Sequence, residues 1–307
     1  MIPNRPRNLP ASVHDRLLKI AQQQQMLYQR LLTRYAVERL LYRLSQSPHR
    51  DRFILKGAML FLLWNDVLSR PTRDLDLLGQ GNGTVRSFEK IFRDLCRTRV
   101  DEDGLQFLAD TVAAEEIRED EIYAGIRVRL LAMLSQSRIP LQVDIGFGDA
   151  VTPAAQEVDF PVLLPFPAPH LRVYPRETVI AEKYQAMVEL GLPNSRMKDF
   201  YDIWTLARGF AYNGSTLCQA IAATFARRQT PLPQETPTAL TLAFCQDRVK
   251  GSQWQGFLNR NELDAPSLPE VVGLLHEFLM PPTHALVEGR PLSRSWLPGG
   301  PWTDPGP

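Results

Sequence analysis

Cysteine is nearly absent from this chain. Its three copies among 307 residues (Cys96, Cys218 and Cys245) are odd in number and show no metal-like spacing. That excludes a disulfide framework and a cysteine-rich zinc site. Long hydrophobic runs are missing too. The longest apolar stretch, Ile54 to Trp64, is interrupted by Lys56 and is too short to span a bilayer. No apolar segment accompanies the charges and prolines of the opening MIPNRPRNLP, so a signal peptide is not expected, no membrane association is foreseen, and the cytoplasm is the predicted compartment. An internal repeat is lacking, and so is an overall surplus of one charge, since the net formal charge is +1. What remains is an ordinary globular composition, 44% hydrophobic and 22% charged, in a chain long enough for two modest domains.

The charges are unevenly placed. Residues 1–56 carry eleven Lys and Arg against Asp15, Glu38 and Asp51, whereas residues 101–123 carry nine acids against Arg118. A basic face suits a nucleic-acid backbone, and the same pattern also describes two solvated surfaces. Helix is predicted from 13 to about 46, with Leu17, Leu18 and Ala21 and then Tyr28, Leu31, Leu32, Tyr35, Ala36 and Leu40 on an apolar stripe. The glutamines at 22–25 mark a candidate break. Arg30, Arg34, Arg39 and Arg43 fall mostly off that stripe, which predicts a basic solvent side that binds RNA. A helix-like segment follows over Phe53–Trp64, and Pro71 forces a turn.

There the period changes to two. Arg73-Asp74-Leu75-Asp76-Leu77 alternates as a half-buried strand does, and Gly79, Gly81 and Gly83 end it. A helix over Val85–Cys96 and strands near 105–117, 122–133 and 140–147 are predicted next. The last strand puts Leu141, Val143, Ile145 and Phe147 on one face and Gln142, Asp144 and Gly146 on the other. The prolines at 161–175 read as a linker. It divides an α/β domain at 1–160 from a helical domain at 176–280, with helices near 176–191, 198–209, 215–227, 236–248 and 267–279. The Pro- and Gly-rich residues 281–307 read as a poorly ordered tail.

Residues two apart on a strand project from one face, so Asp74 and Asp76 point together while Leu75 and Leu77 anchor the strand. Two carboxylates so placed can share a pair of divalent cations, and they ionise uncomfortably without one between them. Asp144, the acid on a strand whose other face is wholly apolar, is the candidate third ligand. Hard oxygen donors of this kind suit Mg²⁺, which takes the rest of its shell from water and substrate phosphates. Upstream, Lys56-Gly57-Ala58 precedes an apolar segment, and Gly57 stands where backbone could approach a phosphate. Each element has a plainer reading: a solvated strand face, and a buried helix with one snorkelling lysine.

The string Leu55-Lys56-Gly57-Ala58 with Arg70-x-Thr72-x-Asp74-Leu75-Asp76 resembles the opening motifs of the DNA polymerase beta-like nucleotidyltransferase superfamily. More narrowly, the chain is similar to the AbiEii/AbiGii toxins. Ala181-Glu182-Lys183, then Asn194-Ser195-Arg196-Met197-Lys198-Asp199-Phe200-Tyr201-Asp202, resembles that family's second motif pair, over a likeness spanning roughly residues 10–260. One departure is Ala58, where superfamily members carry Ser or Gly.

The resemblance implies an α/β (α+β) fold, with a small mixed nucleotidyltransferase sheet flanked by helices and a helical C-terminal domain closing over the cleft. It implies a toxin that moves a nucleoside monophosphate from an NTP to an RNA acceptor, for several relatives the tRNA 3′ end, and a cognate antitoxin, an AbiEi-like winged-helix regulator. Asp74 and Asp76 would bind two Mg²⁺, with Asp144 helping to hold one. Lys56 and Gly57 would contact the triphosphate, and Thr72 would border the site or be an ordinary strand threonine. Lys183 would meet the NTP phosphates and Asp199 would orient it, with Asp202 beside them. On the residues alone, Lys183 borders an apolar stripe and could rest its stem there with its ammonium in water. Asp199 could be a cap-region acid and Asp202 a partner of Lys198. A non-catalytic RNA-binding protein and a magnesium-dependent nuclease are the competing classes.

Overall fold

The opening apolar stripe folds as two helices, α1 (Leu9–Gln23) and α2 (Tyr28–Ser45), in a computed structural model that describes residues 8–65, 72, 74–81, 83–120 and 123–304. The break falls at the glutamines, where Gln25 takes a left-handed φ of 50°. Arg70, the turn at Pro71 and Arg73 lie outside the described residues. The chain divides into two units, one running to Gly148 and including Gln156–Val173, the other comprising Asp149–Ala155 and everything from Tyr174.

The first unit corrects one expectation at once. Phe53–Trp64, expected as a single helix, begins as strand β1 (Phe53–Lys56) and becomes helical only at α3 (Phe61–Asn65). Phe53, Ile54 and Leu55 are all buried, because β1 sits inside the sheet. A strand covered on both faces reads as a continuous apolar run, which periodicity cannot tell from helix. The other elements are β2 (Asp74–Gly79), α4 (Val85–Arg97), β3 (Leu105–Asp120), β4 (Tyr123–Leu134), β5 (Ser137–Phe147), β6 (Gln156–Asp159) and β7 (His170–Val173). They form a seven-stranded mixed sheet in the order β3-β4-β5-β2-β1-β7-β6. The proline-rich stretch 161–175 thus contains a sheet strand, β7, parallel to β1.

The period of two sorts the sheet's faces. Leu75 and Leu77, Val143 and Ile145, and Ile126 and Val128 align across β2, β5 and β4 and are buried. Against this face lies α4, with Phe88 meeting Phe147 edge to face at 5.4 Å and Phe53 at 6.2 Å. The opposite face carries the polar residues.

Two of the four α2 arginines leave the predicted basic surface, while Arg30 and Arg34 stay partly exposed. Arg39 and Arg43 are buried, donating to the buried carboxylate of Asp103 from Nε at 3.0 Å and Nη1 at 2.7 Å. Arg39 also donates to the Pro167 carbonyl, and Glu38 accepts the Leu163 N–H at 2.8 Å. The basic opening and the acidic stretch after 100 therefore partly neutralise each other inside the unit. Burial raises the Asp103 carboxyl, but Arg43 and Arg39 outweigh it and hold it below the ordinary range. At Glu38 burial prevails over the Leu163 N–H and Arg39, and the carboxyl is pushed up to about 7.

The second unit is helical: α5 (Arg176–Leu190), α6 (Met197–Gly209), α7 (Gly214–Arg227), α8 (Leu242–Cys245), α9 (Arg248–Asn261) and α10 (Leu268–Val287), with a small sheet of β8 (Tyr212–Asn213), β9 (Ser295–Trp296) and β10 (Trp302–Thr303). The helix expected over 236–248 is instead a 3₁₀ turn and the short α8, and Asp247 caps α9 by accepting from Val249 and Lys250 N–H. The stretch from 281 is no loose tail as far as residue 304. α10 continues through Pro281 and Pro282, and Trp296 is fully buried. Pro282 has no N–H to give the Phe278 carbonyl one turn back. Trp302 supplies the donor instead, its Nε1 lying 3.1 Å from that oxygen, with its ring stacked on Phe278. No described helix is long and apolar enough to cross a membrane.

Candidate active site

The polar face of the sheet is organised in register. Lys56 pairs with Asp76, Asp76 with Asp144, Asp144 with Arg127, and Arg127 with Glu115, across β1, β2, β5, β4 and β3. Aligned residues share a face, so a row of charged side chains crosses the sheet at its centre, with the carboxylates of Asp76 and Asp144 side by side between Lys56 and Arg127. Asp74, aligned with Gln142, stands beside this row, and Asp74 and Asp76 are each half-buried.

Gly57 fixes the edge of the site. Its φ of 78° is left-handed, and a Cβ there would fall 1.9 Å from Asp76 Oδ2. Any side chain would therefore collide with the carboxylate as well as strain the backbone. The glycine lets the start of the Ala58–Leu60 turn pass directly against Asp76. Thr72 turns its hydroxyl to the Asp74 carbonyl, 3.2 Å away, a local bond that stabilises the entry to β2.

Asp144 is placed beside Asp76, but its carboxylate is already engaged. Arg127 grips it with Nε on Oδ1 at 2.7 Å and Nη2 on Oδ2 at 2.8 Å, and Gln142 adds a bond at 3.3 Å. Such a fork is the strong form of an ion pair. Arg127, whose own pKa is raised chiefly by that hydrogen bond and further by Asp144 and Asp74, is a site residue that the sequence pattern did not single out. Its position opposite Asp144 could have been found from the alternation of β4. Among the described residues no three His, Cys, Asp or Glu side chains converge as a ready metal cage. The donor set that fits a hard divalent cation is Asp74 with Asp76, and Asp144 stands beside Asp76 with its carboxylate bonded to Arg127.

In the helical unit, Lys183 on α5 does not snorkel. Its ammonium lies 2.7 Å from Asp199 Oδ1 and 2.9 Å from Asp202 Oδ2, both acids being fully buried on α6. Arg196 Nε bonds the second Asp199 oxygen at 2.7 Å. The loop that delivers Arg196 is held by Lys250, whose Nζ donates to the Asn194 carbonyl at 2.9 Å. Burial raises the Asp199 carboxyl, yet Lys183 and Arg196 overcome this and hold it at about 2. Lys183, Asp199 and Asp202, the two acids one turn apart on α6, therefore form one unit in which the acids fix the lysine.

The sequence matches the family of nucleotidyl transferase AbiEii toxins of type IV toxin–antitoxin systems over residues 39–278, and the chain belongs to that family. Its members are nucleotidyltransferases that use an NTP and a divalent metal and are paired with an antitoxin. Two solved structures from Helicobacter pylori are similar, each at 14% identity. One is a candidate nucleotidyltransferase (TM-score 0.46, covering 83% of this chain and 98% of that one) and the other is JHP933 (0.44, 85% and 97%). No curated protein matches the sequence.

Proposed function

We propose that this toxin transfers a nucleoside monophosphate from an NTP to an RNA acceptor, the 3′ end of tRNA, with two Mg²⁺ held by Asp74 and Asp76. The observation that carries the reading is the pairing of Asp74 and Asp76 on one sheet face with the Gly57 backbone packed against Asp76. Bound divalent cations would activate the acceptor hydroxyl and offset charge on the leaving pyrophosphate. The rest falls to the chain. Gly57 brings backbone to the triphosphate without a side chain in the way, and Lys56, aligned with Asp76, adds a positive charge for it. Asp144 keeps the Arg127 guanidinium at the border of the carboxylates. Lys183 is assigned to the NTP phosphates, with Asp199 and Asp202 holding its ammonium in place.

The test is incubation of purified protein with bulk tRNA, Mg²⁺ and each labelled NTP. Wild type should label the RNA, and Asp74→Ala or Asp76→Ala should lose transfer while melting as wild type does. Shortened RNA would make the protein a nuclease. A variant keeping more than about a tenth of the activity, a barrier change under about 1.4 kcal/mol, would remove that aspartate from the chemistry.

A further inference from the structure

Beyond the carboxylates, the polar face of β4 and β5 stays open. Along β4 the even positions Val128, Leu130, Ala132 and Leu134 are buried, while Arg127, Arg129, Leu131 and Met133 face outward, partly or fully exposed. β5 repeats the pattern, with Ile139, Leu141 and Val143 buried and Arg138 and Pro140 exposed. From Asp144 outward, the open positions of these two strands carry Arg127, Arg129 and Arg138 and no acid. The neighbouring acid, Glu115 on β3, meets Arg129 at 2.7 Å, but both side chains are about half exposed (53% and 51%). A bridge so exposed is worth little against solvent and yields readily to a phosphate.

We infer that this open face of β4 and β5 is the surface that binds the backbone of the acceptor RNA. The inference rests on the transfer reading above and adds where the acceptor lies. Strand spacing puts β4 about 10 Å from β2, and six residues of β5 carry Arg138 roughly 20 Å from Asp144. The arginines therefore form a track that begins at the carboxylates and leads away from them. Guanidinium groups match phosphate oxygens in a planar fork, and the exposed apolar surface of Leu131, Met133 and Pro140 lies among them for bases to cover. Charge complementarity selects the occupant: a polyanionic single strand can meet the exposed Arg138 and displace the exposed Glu115 from Arg129, while Arg127 stays on Asp144 at the start of the track. Of the α2 arginines, Arg39 and Arg43 cannot serve this role, since both are spent on Asp103.

The experiment measures binding of a fluorescent RNA oligonucleotide with a free 3′ hydroxyl by anisotropy, from 50 to 200 mM salt. The double variant Arg129→Gln/Arg138→Gln should bind more weakly. Removing two arginine–phosphate pairs from a single strand, at about 0.7 each, should make its log–log salt slope shallower by about 1.4. Its affinity should therefore fall about sevenfold less than wild type over that fourfold salt range. Melting temperature and NTP binding should be unchanged, and Arg138→Gln alone should give half the slope change. Arg30→Gln/Arg34→Gln should leave the slope as it is. An unaltered slope in the Arg129/Arg138 variant overturns the inference and leaves this face to a protein partner. Absence of nucleotidyl transfer by wild type would defeat the underlying reading instead.

Discussion

Replacing Lys183 by methionine keeps an apolar stem of similar length and removes one positive charge from between two buried carboxylates. The ammonium sits 2.7 Å from Asp199 and 2.9 Å from Asp202, with only 14% of the lysine side chain exposed. Breaking a buried pair from one side costs about 3–5 kcal/mol, because the charge that stays behind has no compensation. At about 2–4 °C per kcal/mol, Lys183→Met should melt roughly 6–20 °C below wild type. Salt should barely soften that loss, since buried pairs are poorly screened. The second variant, Lys183→Met/Asp202→Asn, removes one of the two acids and should recover part of the stability. It also separates two roles for the lysine. If the ammonium only balances the acids, transfer should return with stability. If it touches the substrate phosphates, kcat/KM should stay about a hundredfold down, roughly 2.7 kcal/mol, in a protein that is again well folded. Thermal melts by circular dichroism at pH 7, with transfer assayed at 20 °C, decide both points. A melting temperature for Lys183→Met within 2 °C of wild type would refute the buried geometry from which the magnitude is worked.

Two more perturbations test the first unit. The Glu38 carboxyl ionises near 4.5 when the chain is unfolded and near 7 in the fold, so the fold binds more protons between those values and loses stability as pH rises through them. Glu38→Gln should therefore gain on wild type by up to about 3 kcal/mol above pH 7 and little near pH 4; a difference in urea stability that is the same at both pH values would show that Glu38 does not titrate there. Gly57→Ala should abolish transfer and lower the melting temperature, since its Cβ would sit 1.9 Å from Asp76 Oδ2 at a φ of 78°; wild-type kinetics for this variant would mean that the turn does not abut the carboxylate.

What local pattern alone determined was the placement of the candidate carboxylates. The alternation around Asp74 and Asp76 forced both carboxylates to one face, and the same period put Asp144 opposite the buried residues of β5, because side-chain direction along a strand depends only on parity. In the second unit α5, α6, α7 and most of α10 were legible for the equivalent reason at a period of 3.6, whereas α8 is far shorter than the helix expected over 236–248 and α9 was not expected. Partner choice across long stretches of chain was decided by tertiary structure. Arg39 and Arg43 looked like a solvent face until Asp103, more than sixty residues away along the chain from Arg39 and sixty from Arg43, took them into the interior. Phe53–Leu55 became a strand because β2 and β7 flank it, and nothing within the segment says so. The stretch after Pro281 looked like a free end, yet a proline inside α10 leaves the Phe278 carbonyl open and Trp302 closes it. Lys183 bordered an apolar stripe in the sequence, and only the packing of α6 turned that border inward. In each case the local pattern set which way a side chain points, while burial and pairing depended on which distant residue came to meet it.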